Sequence, residues 1–139
     1  MLLDDLTAIK KLLATARTIA VVGLSPKETR PSNMVARYLL AAGYTIIPVN
    51  PGQEEILGLD CYPDLGSIPV PVDIVDIFRR SEDVAPIVAE AIAVGAKAVW
   101  MQEGVVHAEA ARTAKAAGLL VVMDRCIKTV HHGLGHERG

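Results

Sequence analysis

Aromatic side chains are scarce in this sequence, which has one Phe, one Trp and three Tyr among 139 residues. Its core must therefore be aliphatic, and hydrophobic residues do make up 51% of the chain. The scarcity also argues against a platform on which single-stranded bases stack. An excess of charge of one sign is missing too, because 14 basic residues face 16 acidic ones. We therefore expect neither nucleic acid nor a membrane surface as a partner.

Cysteines and long apolar runs are equally sparse. The two cysteines, Cys61 and Cys126, form no CxxC motif, so neither a disulfide framework nor a four-ligand zinc site is supported. A reducing, cytoplasmic location is the expectation. No apolar run approaches the roughly 18 residues of a membrane span, and the acidic N-terminus is unlike a signal peptide. We expect no metal site, although three histidines (His131, His132 and His136) lie near the C-terminus.

Short apolar segments alternate with helical patterns along the chain. The predicted strands are 18–23, 45–49, 73–77, 98–101 and 119–123. The predicted helices are 1–17 with Asp4 or Asp5 as its cap, 32–42 with Ser32 as N-cap, 81–94 with Ser81 as cap, and 106–117. Segment 53–72 lacks a helical period, and we predict a short strand at 56–59 and a helical turn at 64–68. We expect 127–139 to be a polar, loosely ordered tail.

Fully apolar strands that alternate with helices are typical of a parallel sheet covered on both faces. We therefore predict a single domain over residues 1–139 with an α/β, Rossmann-like three-layer fold. Its five-stranded parallel sheet is predicted in the order 3-2-1-4-5, with helices on both faces and right-handed crossovers. Ligands of such sheets bind beyond the carboxyl ends of the strands, so the loops there are the candidate site.

The loop after the first strand has the chemistry of a phosphate site. It leads into a helix N-terminus, where free amides and the helix dipole favour an anion. Ser25 and Ser32 add hydroxyl donors, and Lys27 and Arg30 add positive charge. The alternative is an ordinary turn with a capping serine and solvated charges.

Several common nucleotide-binding patterns are missing. Gly23 is followed by Ser25 rather than by a second glycine, and the second strand ends in Asn50 rather than in an acidic residue. A dinucleotide-binding module is therefore disfavoured. The Walker pattern is absent, and so are the acidic residues that close the first strand of a phosphoacceptor receiver.

Five segments, each at a strand end, carry a resemblance to a known family. They are Gly23-Leu24-Ser25 with Arg30-Pro31-Ser32, Val49-Asn50-Pro51, Val72 to Arg79, Trp100 to Gly104, and Asp124-Arg125-Cys126. In this order they resemble the small stand-alone CoA-binding proteins, which are similar to the N-terminal domain of the succinyl-CoA ligase alpha subunit. The resemblance covers residues 18 to 132 and implies a Rossmann-like fold that binds coenzyme A along the edge of the sheet.

The resemblance implies a role for each strand end. The pyrophosphate would lie over the Gly23 loop and be held by Arg30, with Asn50 and Pro51 beside the ribose and adenine. Gln53 stands where the ligases often have a lysine, so Lys27 or Arg79 would replace that contact. The predicted CoA-binding residues are Gly23, Leu24, Ser25, Lys27, Arg30, Ser32, Asn50, Pro51, Phe78, Arg79, Gln102, Glu103 and Gly104. Phe78 would pack on the adenine, and the last three would line the pantetheine arm. The alternatives are that Phe78 is an edge-of-core residue beside a solvated Arg79-Arg80 pair, and that 102–104 is a polar helix entry.

The sequence predicts a binder rather than an enzyme. The phosphoryl-carrying histidine of the ligases belongs to a second domain, and no catalytic triad or carboxylate pair is evident here. We predict non-catalytic binding of CoA or an acyl-CoA, as a carrier or sensor, with a homodimer or a protein partner left open. The alternative is an acyl-CoA-processing enzyme, or a subunit of a ligase-like complex, with Cys126 or Glu103 as the reactive group. Cys126 could also form a mixed disulfide with CoA, but a small buried apolar residue is the favoured interpretation.

Overall fold

The computed structural model describes the backbone of residues 5–138 and the side chains of residues 5–134. Its α-helices are α1 Leu6–Thr15, α2 Pro31–Ala41, α3 Val84–Ala93, α4 Ala108–Ala116 and α5 Ile127–Arg138. Its strands are β1 Thr18–Val22, β2 Thr45–Val49, β3 Glu55–Ile56, β4 Leu59–Asp60, β5 Ile74–Ile77, β6 Ala98–Met101 and β7 Leu120–Val122. Two 3₁₀ turns, Leu65–Ser67 and Ser81–Asp83, complete the elements.

Five parallel strands form the main sheet, in the order β2-β1-β5-β6-β7. Alternate strand residues enter two separate cores, because successive side chains of a strand point to opposite faces. One core lies under α1, α2 and α5, and the other lies under α3 and α4. The predicted Rossmann-like three-layer fold is confirmed. Within the part of the chain that is described, no helix is both long enough and apolar enough to cross a bilayer.

The predicted strand order is wrong at one position. Counted along the chain, the five strands of the main sheet lie in the order 2-1-3-4-5 rather than 3-2-1-4-5. Asp73, just before β5, explains the difference: its carboxylate accepts hydrogen bonds from the amides of Arg17 (2.8 Å) and Thr18 (3.0 Å). Its own amide donates to the Thr18 carbonyl at 3.0 Å. These bonds fix the start of β5 beside the start of β1, on the side away from β2.

The connection between β2 and β5 folds as a small hairpin and a turn. The predicted strand at 56–59 is in fact two strands, β3 and β4, joined through Leu57 and Gly58, which both have positive φ. The predicted turn near residues 64–68 is confirmed as the 3₁₀ turn Leu65–Ser67. Only Tyr62 of this segment pairs with β2, through a single bridge to Val49. The hairpin therefore covers the edge of β2 without extending the main sheet.

Two of the predicted helix caps are wrong. Helix α2 begins at Pro31 with Arg30 as its N-cap, and the Ser32 hydroxyl accepts instead from the amide of Ser25 at 3.0 Å. Ser81 starts a 3₁₀ turn, and its hydroxyl accepts from the Val106 amide at 2.9 Å. Both serines thus join loops that are distant in sequence rather than capping their own helices. The N-terminal helix is capped by Asp5, and Asp4 lies outside the described residues.

The predicted loose tail is also wrong, because residues from Ile127 to Arg138 form α5. Ile127 is fully buried, and Val130 and Leu134 pack against the same core. Ile127, Val130 and Leu134 have helical spacing, but polar residues and glycines lie between them, so the pattern did not predict a helix. Nδ1 of His131 and the Tyr38 hydroxyl form a hydrogen bond of 2.8 Å, which ties α5 to α2.

A carboxyl group is buried inside the sheet. Asp76 of β5 lies between Val21 and Trp100 on the neighbouring strands, and its side chain is fully buried. Neither carboxyl oxygen has a hydrogen-bond partner in the described structure. Burial, together with the like charge of Cys126, raises the pKa of Asp76 well above its ordinary value. The protonated form is therefore the one that the fold favours.

Gly23 directly follows the last residue of β1, where the chain leaves the sheet between β2 and β5. Its amide donates to the Val49 carbonyl at 2.9 Å, and its φ is +88°. A Cβ atom here would overlap the carbonyl oxygen of Phe78, which follows β5. Only glycine combines this conformation with such a close backbone approach.

Gly23→Ala is expected to lower the free energy of unfolding by roughly 2–5 kcal/mol, because backbone strain and overlap with Phe78 add together. Gly118→Ala is the matched control, since Gly118 also has a positive φ (+95°) but nothing within 4 Å of the place that a Cβ atom would take. That variant is expected to lose only about 1–2 kcal/mol. Urea unfolding of both variants measures the difference, and equal losses would show that the contact with Phe78 costs nothing.

Asp76→Asn is expected to be more stable than the wild type at neutral and alkaline pH. Because the folded-state pKa of Asp76 is raised, the folded protein binds more protons than the unfolded chain, so this group lowers stability as pH rises. The stability gap between the variant and the wild type should therefore widen with pH from about 4 upward, by up to about 1.4 kcal/mol per pH unit. Urea unfolding of both proteins across pH tests this, and a gap independent of pH would contradict it.

Candidate cofactor site

A cleft of about 640 Å³ lies over the carboxyl ends of β1, β5 and β6, where the strand order reverses. This is the switch point of the sheet, at which ligands of open α/β folds bind. Residues of four different loops and of α2 form its wall. They are Gly23, Ser25, Lys27, Arg30, Pro31, Ser32, Val35, Phe78, Arg79, Arg80, Asp83, Gln102, Glu103, Val105 and Cys126.

Most of the predicted cofactor-binding residues meet in this cleft. Those that line it are Gly23, Ser25, Lys27, Arg30, Ser32, Phe78, Arg79, Gln102 and Glu103. The structure places the other four elsewhere. Leu24 is fully buried in the core beneath α2, and Asn50, Pro51 and Gly104 are not part of the cleft wall.

Asn50 has a structural task at the end of β2. Its side-chain amide donates to the Leu24 carbonyl at 3.0 Å, and its Oδ1 accepts from the Gly52 amide at 2.9 Å. These bonds hold the loop after β1 against the end of β2. The contact of Asn50 with ribose remains a prediction. In the structure, the Asn50 side chain stabilises the neighbouring loop through these hydrogen bonds.

The loop between β1 and α2 is held by its own serines. The Ser32 hydroxyl oxygen accepts from the Ser25 amide, and the Ser25 hydroxyl oxygen accepts from the Lys27 amide at 3.1 Å. The side-chain amide of Asn33 adds a bond to the Ser25 carbonyl at 2.9 Å. Because a hydroxyl donates and accepts separately, each serine keeps its hydrogen for an anion in the cleft. The loop is thus ordered before any ligand arrives.

Positive charge is concentrated on the two loops at the switch point. Among the described side chains, Lys27 and Arg30 have no ion-pair partner, and both are exposed to the cleft. Across from them, Oδ2 of Asp83 lies 3.6 Å from Nη2 of Arg79 and 3.4 Å from Nε of Arg80. The carboxylate of Asp83 therefore cancels part of the positive charge of these two arginines. The start of α2, with its positive helix dipole, opens at the same place. This end of the cleft therefore has the charge and the donors to hold phosphate groups.

The opposite end of the cleft is built around Cys126. Gln102, only 4% exposed, accepts a hydrogen bond from the Ile127 amide at 3.1 Å and so fixes the start of α5. Burial by itself raises the pKa of the Cys126 thiol, but hydrogen bonds to the sulfur outweigh it and lower the pKa below its ordinary value. The donors are the amide and hydroxyl of Thr129, the side chain of Gln102 and the amide of Lys128.

Cys126 is half-buried and belongs to the cleft wall. The favoured interpretation of this residue as a small buried apolar side chain holds in part, because Cys126 packs against the core while its other side lines the cleft. The sequence contained one signal that pointed to it, because Cys126 follows a predicted strand directly. Three of the four hydrogen-bond donors to its sulfur belong to α5, a helix that was not predicted from the sequence.

A second hollow, of about 410 Å³, continues beyond Cys126. It is lined by Glu103, Asp124, Arg125, Cys126, Thr129 and Val130. Glu103 and Cys126 line both spaces, so the hollow adjoins the main cleft at these two residues. Asp124, with a positive φ of 62°, holds this region by accepting from the Gly104 amide at 2.7 Å.

Five other residues of the cleft wall were not predicted from the sequence: Pro31, Val35, Arg80, Asp83 and Val105. Pro31 and Arg80 adjoin predicted site residues, so proximity along the chain could have indicated them. Val35 and Val105 are apolar side chains of ordinary type, and nothing in their pattern separates them from core residues. Only the packing of α2 and of the loop after β6 brings them to the cleft.

The histidines form no metal centre in the part of the chain described. No group of three potential ligands lies together there. Nδ1 of His107 caps α4 by accepting from the Ala110 amide at 3.0 Å. His131 bonds to Tyr38, and the side chain of His136 lies outside the described residues.

Known proteins share both the sequence pattern and the fold. Uncharacterized protein YneT of Bacillus subtilis is 44% identical over 123 residues, which cover 88% of this chain and 91% of that protein. A solved structure, a hypothetical protein from Pyrococcus horikoshii OT3, matches with a TM-score of 0.90 at 41% identity. That match covers 93% of this chain and 91% of the other.

A larger protein contains a similar region. The ADP-forming acetate–CoA ligase I of Archaeoglobus fulgidus is 28% identical over 125 residues, which cover 83% of this chain but only 18% of the ligase. Residues 17–132 match the family model described as a CoA binding domain. The chain therefore belongs to the CoA-binding domain family, and it is homologous to the CoA-binding region of ADP-forming acetyl-CoA synthetases.

Proposed function

We propose that this chain binds CoA or an acyl-CoA reversibly in the cleft at the switch point, without transforming it. The observation that carries the proposal is the paired cationic loops beside the start of α2. Lys27 and Arg30 come from one loop, and Arg79 comes from the other. A pyrophosphate matches this arrangement, because it presents several negative oxygens to several donors at once.

The charge distribution favours one orientation of the ligand. The phosphates are attracted to Lys27 and Arg30, where the hydroxyls of Ser25 and Ser32 add neutral donors. At the other end of the cleft, the carboxylate of Glu103 would repel them. The uncharged pantetheine arm is the part of CoA that tolerates this acidic end.

The dimensions of the sheet agree with this orientation. From β1 to β7 the strand order has three steps, which at about 4.8 Å per step span roughly 14 Å. The pantetheine arm is about as long as four extended residues, again roughly 14 Å. Phosphates held at the end of β1 therefore place the thiol near the end of β7, where Cys126 lies. Phe78 and Val105 offer apolar surface between these two points.

The charged and nucleophilic groups of the cleft favour binding over acyl transfer. An acyl-transferring cysteine works with a neighbouring base, in most cases histidine. No histidine lines either the cleft or the adjoining hollow among the described residues. His107 and His131 instead bond to α4 and to Tyr38.

Calorimetric titration is expected to show CoA binding that Arg30→Ala weakens about tenfold to one-hundredfold, because a charge-assisted hydrogen bond to phosphate is lost. Arg112→Ala is the matched control: it removes the same charge from the exposed face of α4, away from the cleft. That variant should bind CoA with nearly unchanged affinity. Equal weakening by both substitutions would mean that net charge, and not the loop, holds the ligand.

Two ligand analogues test which part of CoA is bound. Dephospho-CoA is expected to bind more weakly if the 3′-phosphate contacts the cationic loops. NAD, which has a pyrophosphate but no pantetheine arm, is expected to bind weakest of the three. Tight NAD binding that CoA does not compete with would replace the proposal by a dinucleotide-binding function, and binding of neither ligand would reject both functions.

Acetyl-CoA is expected to remain intact after prolonged incubation with the protein, because no histidine among the described residues lines the cleft to act as a base. Chromatography of the nucleotide fraction measures the remaining thioester. Multiple turnovers that disappear in Cys126→Ala or in Glu103→Gln would contradict the non-catalytic proposal. If both variants still bind CoA, a loss of turnover would reflect a missing reactive group and not a damaged binding site.

A further inference from the structure

The sulfur of Cys126 lies where it can meet the sulfur of a ligand. It forms part of the wall at the β7 end of the cleft, and it lies at the start of α5. Amide and hydroxyl donors of the first turn, together with Gln102, surround it. Such surroundings stabilise a thiolate, which is the form of cysteine that attacks disulfides.

Asp76 lies beneath the same place. Residues two positions apart point to the same face of a strand, so Asp76 follows Phe78 inward from the cleft wall. Cys126 and Phe78 pack against the core on this face of the sheet. The carboxyl of Asp76 is fully buried, has no hydrogen-bond partner in the described structure, and interacts electrostatically with Cys126. Natural proteins seldom leave a buried polar group unpaired without a functional reason.

The space around Cys126 is also suited to a disulfide. The main cleft lies on one side of the sulfur, and the hollow lined by Asp124 and Arg125 adjoins it at Cys126. Thiol–disulfide exchange proceeds through attack of one sulfur on another while a third sulfur departs. The main cleft can hold the half of the disulfide that stays bound to Cys126, and the adjoining hollow can receive the thiol that leaves.

We propose that Cys126 is the nucleophile of a thiol–disulfide exchange by which this protein takes up CoA covalently from a disulfide of CoA. The substrate class is a CoA disulfide, either symmetric or mixed with a small thiol. This inference rests on the proposed function, because the phosphates of CoA must first be held by the loops at the switch point. It makes the chain a carrier or sensor of oxidised CoA as well as a binder of the free thiol.

The exchange balances without another reactant. The Cys126 thiolate attacks the CoA sulfur of CoA–S–S–R, the protein–S–S–CoA bond forms, and the S–S bond of the substrate breaks. The electron pair of that bond leaves with R–S⁻, which takes a proton from water. No net oxidation occurs, since one disulfide replaces another. Asp76 stays protonated near the thiolate, because the negative charge of Cys126 disfavours a second negative charge on the buried carboxyl.

The test incubates the reduced protein with CoA disulfide and follows its intact mass. Wild type is expected to gain one CoA moiety, with release of one free CoA, and to lose the adduct on addition of a thiol reductant. Cys126→Ser is expected to form none. Cys61→Ser is the matched control, because Cys61 lies outside the cleft and burial raises its pKa. That variant should react at the wild-type rate.

The rate separates a built site from an ordinary reactive thiol. CoA disulfide is expected to react with Cys126 at least about tenfold faster than hydroxyethyl disulfide, because the cleft holds the substrate next to the sulfur. Arg30→Ala should remove most of this advantage, because the phosphates of CoA lose a binding partner. Equal rates with both disulfides, or equal labelling of Cys61, would overturn the proposal.

Calorimetry with CoA distinguishes the two possible failures. Reversible CoA binding without adduct formation would overturn the exchange and leave the proposed function intact. Absence of CoA binding would overturn both, because the exchange depends on the held phosphates. Binding accompanied by an adduct at Cys126 supports both.

Discussion

The pairing of β5 with β1 is the constraint on which the rest of the structure depends. Asp73 binds the two amides that precede and begin β1, so β5 starts in register beside it. Because β2 already occupies the other side of β1, the chain must continue outward in the opposite direction. The carboxyl ends of β1 and β5 then diverge into loops on opposite sides of the sheet. The cleft is the space between those loops, and it exists because of this reversal.

Charge is distributed along that cleft in a way that gives a ligand a direction. Cationic side chains and the start of α2 occupy the β1 end, whereas Glu103 and the thiol occupy the β6 and β7 end. This distribution is the basis of our proposal that the ligand has phosphates at one end and a thiol at the other. The family to which the chain belongs is named for such a molecule.

The buried carboxyl of Asp76 in β5 has an energetic cost. An unpaired carboxyl inside the sheet destabilises the fold whenever it ionises, and a hydrophobic residue of similar size would avoid this cost. This carboxyl also interacts electrostatically with Cys126, and the negative charge of the cysteine helps to raise the pKa of Asp76. The first turn of α5 supplies most of the hydrogen-bond donors to the sulfur of Cys126.

The alternation of apolar segments and helical patterns by itself determined the fold class, the five parallel strands and the edge on which ligands are expected. These features follow from local periodicity, which each segment carries without reference to the others. The motifs at the strand ends likewise indicated the family and nine residues of the cleft wall. Tertiary structure alone decided that β5 is the second neighbour of β1, that the C-terminal segment folds as α5, and that Asn50 lies outside the cleft wall. Each depends on contacts between distant segments: Asp73 with Thr18, His131 with Tyr38, and Asn50 with Leu24. Such contacts leave no periodic trace in a sequence, because their partners are brought together only when the sheet has formed.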